Sequence, residues 1–443
     1  MDAHVPTWLI PTLYAAAALA SGFILPRIEH AYLASTLNDI AAASALAYLS
    51  AVASGMIAFT AIVFSIAYVT VQFNAIAYSP RIALWFAHDR RLFHALGLFM
   101  ATFLFAMATM VWIDRGDGGG VPLLSTILVL VLLVASTLQF GLLVRGLSEL
   151  QITSTLHVVG NQGRTVIAEM FFPSEDPRAM LRAARGEVKP EDDGSRPTQV
   201  LRYSGEPRAI GRFDIEALVR QAQGAGAVIK LACAVGDTIL DDSVLLTVSG
   251  AAHSLVEAEL VGAIHLSPQR TFEQDPKYPI RPLVDIAIKA LSPAINDPTT
   301  AVQAIDEIED LLRRLGKCEL DAGFARDGNG VLRVIFPMPG WDDYLRLAFD
   351  EIRQYGAGSV QVMRRLRAAL AGVAEVVAGR AERAASIGRY MRQLDLSVDR
   401  APLDVEDRLV ASQEDRQGRG LSRKPHAAAN PVPRKGQARA AGR

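Results

Sequence analysis

Oxygen-bearing side chains cluster in the segment from residue 285 to residue 300. A predicted helix carries the first carboxylate, and the polar turn beyond that helix supplies an amide, a second carboxylate and two hydroxyl groups. The five residues are Asp285, Asn296, Asp297, Thr299 and Thr300. Hard cations prefer such oxygen ligands, although the spacing matches no established metal loop. These side chains either converge on a small ligand or cation or belong to a purely structural helix–turn–helix, and we favour the structural interpretation.

The structural alternative rests on Asp297. An Asp directly before Pro298 is typical of an N-cap followed by proline at the first helical position, and we expect this helix to run to about Leu315. Arg281 precedes Asp285 by four residues, so the two side chains lie on one face of the preceding helix. This interpretation predicts a capped helix–turn–helix joined by a polar turn, where the first predicts a ligand.

Other signatures of catalysis are missing from the sequence. It contains no Gly-rich phosphate loop, no HExxH or GxSxG motif and no cluster of Cys and His. The two cysteines, Cys233 and Cys318, offer neither a disulfide framework nor metal-ligand spacing. We therefore expect no enzymatic activity and no cofactor, and we assign no catalytic residue and no metal-ligand set.

Long stretches without a charged side chain dominate the first 145 residues. The charge-free stretches are Val5–Leu25, Ile40–Pro80, Leu92–Ile113 and Gly118–Val144. A helix that crosses a bilayer needs about 20 apolar residues. We predict four transmembrane helices, near Trp8–Leu25, Leu49–Val71, Leu92–Ile113 and Val121–Val144.

The second stretch is longer than one span requires. As a single helix, Ile40–Pro80 would extend about 60 Å, twice the hydrocarbon thickness. Two spans and a turn would need more residues, so we expect one over-long helix. The alternative is five spans, with a break near Ser54-Gly55, which would move the N-terminus to the other side of the membrane.

Basic residues in the connections indicate the orientation. Arg81, Arg90 and Arg91 lie between spans two and three, whereas the other two connections carry only Arg27 and only Arg115. Short basic loops remain cytoplasmic. The sequence therefore predicts a multi-pass protein of the bacterial inner membrane with cytoplasmic N- and C-termini.

Polar side chains also follow one stripe of the second span. Ser65, Tyr68 and Gln72 are spaced by three and four residues, which places them on one helix face. They predict either a polar lining for a permeation path or hydrogen bonds between packed helices.

The fold class that follows is an α-helical membrane domain of four transmembrane helices (residues 1–145) and a mixed α+β cytoplasmic region. Within that region we expect a helical extension and polar connector (146–197), a small strand-rich α+β domain (198–262) and a mainly helical bundle with a hairpin (263–400). Residues 401–443 are predicted to be a disordered basic tail, which either contacts anionic lipid headgroups or only keeps the protein soluble. No folded motif indicates nucleic-acid binding.

Several blocks of the sequence resemble a known family. QRTFEQDP and LVDIAIKALSPAINDPTTA look like the hallmark of a family of predicted bacterial integral membrane proteins of unknown function. AIVFSIAYVTVQFNAIAYSPRIALWFAHDRRL and the following GLFMATFLFAMATM look like that family's second and third spans. The likeness covers roughly residues 5–395. It implies four N-terminal spans and a cytoplasmic C-terminal region, and it carries no established activity.

Together these features predict an oligomeric channel- or transporter-like protein with a cytoplasmic regulatory domain. The alternative is a membrane-anchored signalling or scaffold protein whose cytoplasmic domain binds a ligand or partner. The expected partners are the bilayer and further copies of the chain. Ser65, Tyr68 and Gln72 facing a central axis of a symmetric assembly would favour the first function, and their burial within one protomer would favour the second.

Overall fold

The computed structural model describes residues 8–32, 41–77, 90–114, 121–148, 152–171, 196–320 and 323–416. Its contacts divide the chain into two compact units, Met1–Val158 and Val159–Arg443. Most of the predicted polar connector and the basic tail beyond residue 416 lie outside the described residues.

Four helices of the first unit are long and apolar enough to cross a membrane. They are α1 (Leu9–Tyr32), α2 (Ala42–Ala77), α3 (Arg90–Asp114) and α4 (Leu123–Ser148). Helix α2 is a single helix of 36 residues. The alternative of five spans with a break near Ser54-Gly55 is wrong, because α2 runs through that point without interruption.

Small residues bring α1 and α3 together. A Cβ atom added at Gly22 would lie 2.7 Å from the Cβ of Ala108, and one added at Gly97 would lie 2.8 Å from the ring of Tyr14. Membrane helices gain little from the hydrophobic effect between them, so such close approach provides the van der Waals contact that holds them.

The second unit combines helices with short strands. Helix α5 (Ile152–Met170) begins in the first unit and continues into the second. The strands are β1 (Gln199–Arg202), β2 (Arg208–Phe213), β3 (Val228–Leu231), β4 (Thr238–Ile239), β5 (Val244–Ser249), β6 (Ile264–Ser267), β7 (Phe324–Arg326) and β8 (Leu332–Ile335). The remaining helices are α6 (Ile215–Gly224), α7 (Glu257–Gly262), α8 (Ile280–Ala290), α9 (Pro298–Lys317), α10 (Trp341–Gly356), α11 (Val360–Val377), α12 (Ala381–Arg400) and α13 (Val405–Ala411).

The strands form two sheets, with the orders β1-β5-β3-β8-β7 and β4-β2-β6. All pairs are antiparallel except β3 and β8, where Ile229 lies beside Val334. The hairpin β7–β8 thus extends the sheet of the predicted α+β domain, and β6 pairs with β2. Both sheets cross the domain boundary that we predicted at residue 262, because apolar strands from the two sides share one core.

The chain remains folded beyond residue 400. We assigned residues 401–443 to a disordered tail, and this is wrong for residues 401–416 because α13 packs on α11 there. The side chain of Asp404 caps α13 by accepting from the backbone N–H of Asp407 at 2.8 Å. Asp415 and Arg364 form a buried ion pair at 3.4 Å.

Candidate functional site

Asp297 and Thr300, two residues of the predicted ligand site, come together at the start of α9. The backbone N–H of Thr300 donates to Oδ1 of Asp297 at 3.2 Å, and its hydroxyl donates to Oδ2 at 2.6 Å. The predicted N-cap is confirmed, as is proline at the first helical position. The carboxylate of Asp297 therefore satisfies an N–H group that the first helical turn leaves without an intrahelical partner.

Asp285 lies on α8 and is held by its helical neighbour. Arg281 Nε donates to Asp285 Oδ1 at 2.7 Å, and Arg281 Nη2 donates to Glu351 Oε2 on α10 at 2.9 Å. The hydrogen bond from Arg281 lowers the pKa of Glu351 below its ordinary value. Arg281 thus joins α8 to α10. Asp285 and Asp297, the two carboxylates of the predicted site, both have protein partners.

The other two residues of the predicted site lie at the surface. Asn296 and Thr299 are exposed, and Asn296 has a φ of 49°, in the left-handed region that an Asn tolerates better than most residues. Among the residues that the structure describes, no group of three or more His, Cys, Asp and Glu side chains is arranged to hold a metal ion.

The QRTFEQDP block connects the smaller sheet to α8. Asp275, which is 2% exposed, accepts from Arg270 Nε at 3.0 Å and from two backbone N–H groups that follow it. Gln274 accepts from the backbone N–H of Phe213 at 3.1 Å and donates to its carbonyl at 3.3 Å. These hydrogen bonds give Gln274 and Asp275 a structural role, because they connect β2 to the start of α8.

The polar stripe of α2 lies on the outside of its own helix bundle. Ser65, Tyr68 and Gln72 are exposed, with Tyr68 at 58%. Exposed small and polar residues continue this face toward the start of α2 at spacings of three or four. This α2 seam consists of Ser50, Ser54, Ala58, Ala61, Ser65, Tyr68 and Gln72. Such spacing is typical of a helix face that packs against another helix.

Glu29 is a buried carboxylate that no pattern in the sequence singled out. It lies on α1, is 1% exposed, and accepts from the backbone N–H of Ser125 at 3.0 Å, from the Ser125 hydroxyl and from the N–H of Leu124. A carboxylate is favourable at the N-terminus of a helix. Glu29 therefore caps α4, a role whose only signal in the sequence is an isolated acidic residue at the end of an apolar span.

Close packing joins α5 to α9 within the second unit. A Cβ atom added at Gly160 would lie 2.0 Å from Oε2 of Glu307, and one added at Gly163 would lie 2.8 Å from Leu311. Arg164 then donates to Glu307 Oε2 at 2.6 Å and to Asp310 Oδ2 at 2.7 Å. Two glycines and an arginine on consecutive turns thus fix α5 against α9.

Beside this contact lies a cleft of about 360 Å³. Four cationic side chains, one carboxylate and an apolar surface line it. The lining residues are Arg164, Ile167, Ala168, Phe171, Asp310, Arg313, Arg314, Lys317 and Cys318. Burial opposes ionisation of Asp310, but hydrogen bonds from Arg314 and Arg164 outweigh it and lower the pKa of this carboxyl. We call this feature the α5–α9 cleft.

Two arginines from α12 and its N-cap position cover the C-terminal end of α9. Arg380 Nη1 donates to the carbonyls of Gly316 at 3.0 Å and Cys318 at 2.7 Å. Arg383 Nη1 donates to the same two carbonyls at 3.1 Å and 2.8 Å. Burial raises the pKa of the Cys318 thiol, so this cysteine is a poor nucleophile at neutral pH.

Comparison with known proteins identifies a family whose model matches most of this chain. A family model described as "Predicted membrane protein (DUF2254)" matches residues 5–372. Uncharacterized proteins of Mycobacterium bovis and Mycobacterium tuberculosis are 26% identical over 385 residues, which cover 83% of this chain and 71% of the relatives. No solved structure matches.

Proposed function

The chain belongs to the DUF2254 family of predicted membrane proteins, and on that premise we propose an oligomeric, channel- or transporter-like protein. Family membership confirms the resemblance seen in the QRTFEQDP and LVDIAIKALSPAINDPTTA blocks. It makes the chain a predicted membrane protein of unknown function with four candidate spans. We propose further that the protein lies in the bacterial inner membrane, that it is not an enzyme, and that the second unit is a regulatory domain in the cytoplasm.

The exposed α2 seam carries this proposal. In a single chain the hydroxyl groups of Ser65 and Tyr68 would face hydrocarbon, where a polar group without a partner costs free energy. When copies pack through this face, small residues such as Ser54 and Ala61 allow close approach, and Tyr68 and Gln72 gain hydrogen-bond partners. Copies arranged around an axis would also surround that axis with polar side chains, which is the lining that a permeation path requires.

Cysteine crosslinking in membranes tests the assembly. In a background with Cys233→Ala and Cys318→Ala, we expect mild oxidation to link Ser54→Cys and Ala61→Cys chains into dimers. Leu138→Cys on α4 is the matched control, because Leu138 is apolar and 67% exposed. Crosslinking that is no more frequent at the seam than at Leu138 would refute the proposed interface.

Flux through proteoliposomes tests the transport function itself. We expect ion or solute flux from the wild-type protein, an altered rate in Gln72→Leu, and an unchanged rate in the control Leu138→Ala. Seam crosslinking without flux under any imposed gradient would reject transport and favour the alternative of a membrane-anchored signalling or scaffold protein.

The orientation is a further part of the proposal. It rests on Arg81, which lies between α2 and α3 in the sequence, and on Arg90 and Arg91 at the start of α3. We expect a cysteine in this connection, introduced into the same cysteine-free background, to be protected from a membrane-impermeant thiol reagent in intact cells. Labelling there, with protection of a cysteine between α1 and α2, would reverse the orientation.

The α5–α9 cleft supports the regulatory role of the second unit, and also the alternative in which ligand binding is the main function. A concave site with apolar walls and a few polar groups is the usual form of a small-molecule site. The basic tail beyond residue 416 is proposed to contact anionic lipid headgroups, and we propose no nucleic-acid partner.

A further inference from the structure

We propose that the α5–α9 cleft binds a phosphate ester that carries an apolar group. The proposal deepens the regulatory part of the function given above, because it names the class of ligand that the second unit would sense. It rests on that proposed role for its biological meaning and on the cleft alone for the binding itself.

The inner surface of the cleft is apolar. Ile167 and Phe171 from the end of α5, together with Cys318 after α9, are buried but contribute to the lining. Ala168 is exposed at its edge. A volume of about 360 Å³ lies at the lower end of the range for ligand sites, which fits a phosphate group and a short hydrocarbon chain.

The lining of the cleft carries more cations than carboxylates, four against one. Arg164 is fully engaged, since its three nitrogens donate to Asp310, Asn161 and Glu307. Arg314, by contrast, is half exposed, and its contact with Asp310 uses Nε at 2.9 Å. Arg313 also lines the cleft, and it donates to the carbonyl of Gly372 at 2.7 Å and pairs with Glu309 and Glu375. Lys317 lines the cleft at an exposed position, and it too has a protein contact.

Basic residues in the last turn of a helix usually stabilise its C-terminal carbonyl groups. At α9 that role belongs to Arg380 and Arg383, which donate to the carbonyls of Gly316 and Cys318. Arg314 and Lys317 are therefore not needed as caps. The half-exposed guanidinium of Arg314 and an excess of four cations over one carboxylate, beside an apolar wall, indicate an anionic ligand.

A phosphate ester suits this arrangement better than a carboxylate. It offers three oxygen acceptors and a charge of about −1.5 to −2 at neutral pH, and Arg and Lys both bind such groups through charge-assisted hydrogen bonds. Helix α5 begins four residues after α4 ends. A ligand held between α5 and α9 would therefore act on the helix that follows the last candidate span.

Calorimetric titration of the full-length protein in a neutral detergent tests the site. Hexyl phosphate and inorganic phosphate are the two probes, and we expect hexyl phosphate to bind at least tenfold more tightly because only it covers the apolar wall. Equal affinities, or no binding of hexyl phosphate, would overturn the proposal.

Variants then locate the binding. Loss of Arg314 and Lys317 in the double variant Arg314→Ala/Lys317→Ala should weaken hexyl phosphate binding by roughly tenfold or more. The matched control is Arg220→Ala on α6, an exposed arginine whose carboxylate neighbour is likewise four residues away. Affinity of the double variant within twofold of wild type, or an equal loss in Arg220→Ala, would contradict the assignment.

A second variant leaves every charge in place. Ala168→Trp should fill the cleft from its exposed edge and weaken hexyl phosphate binding by roughly tenfold, with an unchanged thermal midpoint showing that the variant folds. Unaltered binding in this variant would also overturn the proposal. None of these titrations depends on flux, so failure of transport and failure of the site are distinguishable.

The source of the phosphate ester is resolved in nanodiscs. If the natural ligand is a lipid, phosphatidic acid added to a phosphatidylcholine nanodisc should compete with hexyl phosphate for the wild-type protein. If hexyl phosphate binds equally well in both nanodiscs, the ligand is a soluble phosphate ester.

Discussion

The contact between α5 and α9 can be tested with a single methyl group. A Cβ atom at Gly163 would lie 2.8 Å and 2.9 Å from the two terminal carbons of Leu311 and 3.0 Å from Pro279. Leu311 is fully buried, so it has little room to move, and overpacking of this kind costs about 1–3 kcal/mol. The same change removes a glycine from a helix, which contributes about 1 kcal/mol of stability. We therefore expect Gly163→Ala to destabilise the second unit by about 1 kcal/mol.

Gly388 on α12 provides a matched control. A Cβ atom there would lie 3.7 Å from Nη1 of Arg392, an ordinary contact. Gly388→Ala should therefore retain only the helix-forming gain and stabilise the unit by about 1 kcal/mol. The same chemical change is thus expected to have opposite signs at two helical glycines of one unit.

The two native cysteines make the measurement specific. Cys233 and Cys318 both belong to the second unit, and burial raises the pKa of each thiol. A fluorogenic thiol reagent added to the full-length protein in detergent will therefore report thermal unfolding of this unit. A change of 1 kcal/mol should shift the midpoint by roughly 2–4 °C for a unit of this size, downward for Gly163→Ala and upward for Gly388→Ala. A midpoint that rises in both variants would refute close packing of α5 on α9.

Three further outcomes follow from the described contacts. Glu29→Ala should destabilise the four-helix unit by about 1–3 kcal/mol, because the N–H of Ser125 loses its acceptor; thermal inactivation in detergent measures this, and equal stability would contradict the capping role. Asp297→Ala should cost about 1 kcal/mol in the thiol assay if Asp297 is only an N-cap, whereas normal stability with lost function would instead support the predicted ligand site. Arg281 lowers the pKa of Glu351 below 4.5, so the stability from this pair is present above about pH 4.5 and is lost as the pH falls through the lowered value. The thermal midpoint of Glu351→Gln should accordingly fall less than that of the wild type below pH 4.5, and parallel curves would refute the pairing.

The local features of this protein could be predicted from sequence because neighbouring residues determine them. A charge-free stretch is sufficient to predict a membrane-length helix, and all four candidate spans appear near their expected positions. Asp297-Pro298 predicts a helix start, and the four-residue spacing of Arg281 and Asp285 places them on one helix face. Each of these requires only one turn of helix and no knowledge of the rest of the chain.

Features that join distant segments needed the tertiary structure. The pairing of β3 with β8 joins strands about a hundred residues apart and crosses a boundary that composition had suggested. Asp415 was assigned to a disordered tail because the polar sequence around it gives no sign of the buried Arg364 that it meets. A polar residue can pair with a distant partner that no local pattern reveals.

The sequence by itself thus determined that this chain has four membrane-length helices and a mixed helical and sheet region, because composition and local periodicity carry that information. Its likeness to one family lies in particular blocks such as QRTFEQDP and LVDIAIKALSPAINDPTTA. Only the tertiary structure decided that the α2 seam faces outward, that Glu29 caps α4, and that Arg380 and Arg383 neutralise the end of α9 beside a cationic cleft. These depend on which surfaces remain uncovered and which charges already have partners, and both are properties of the packed chain.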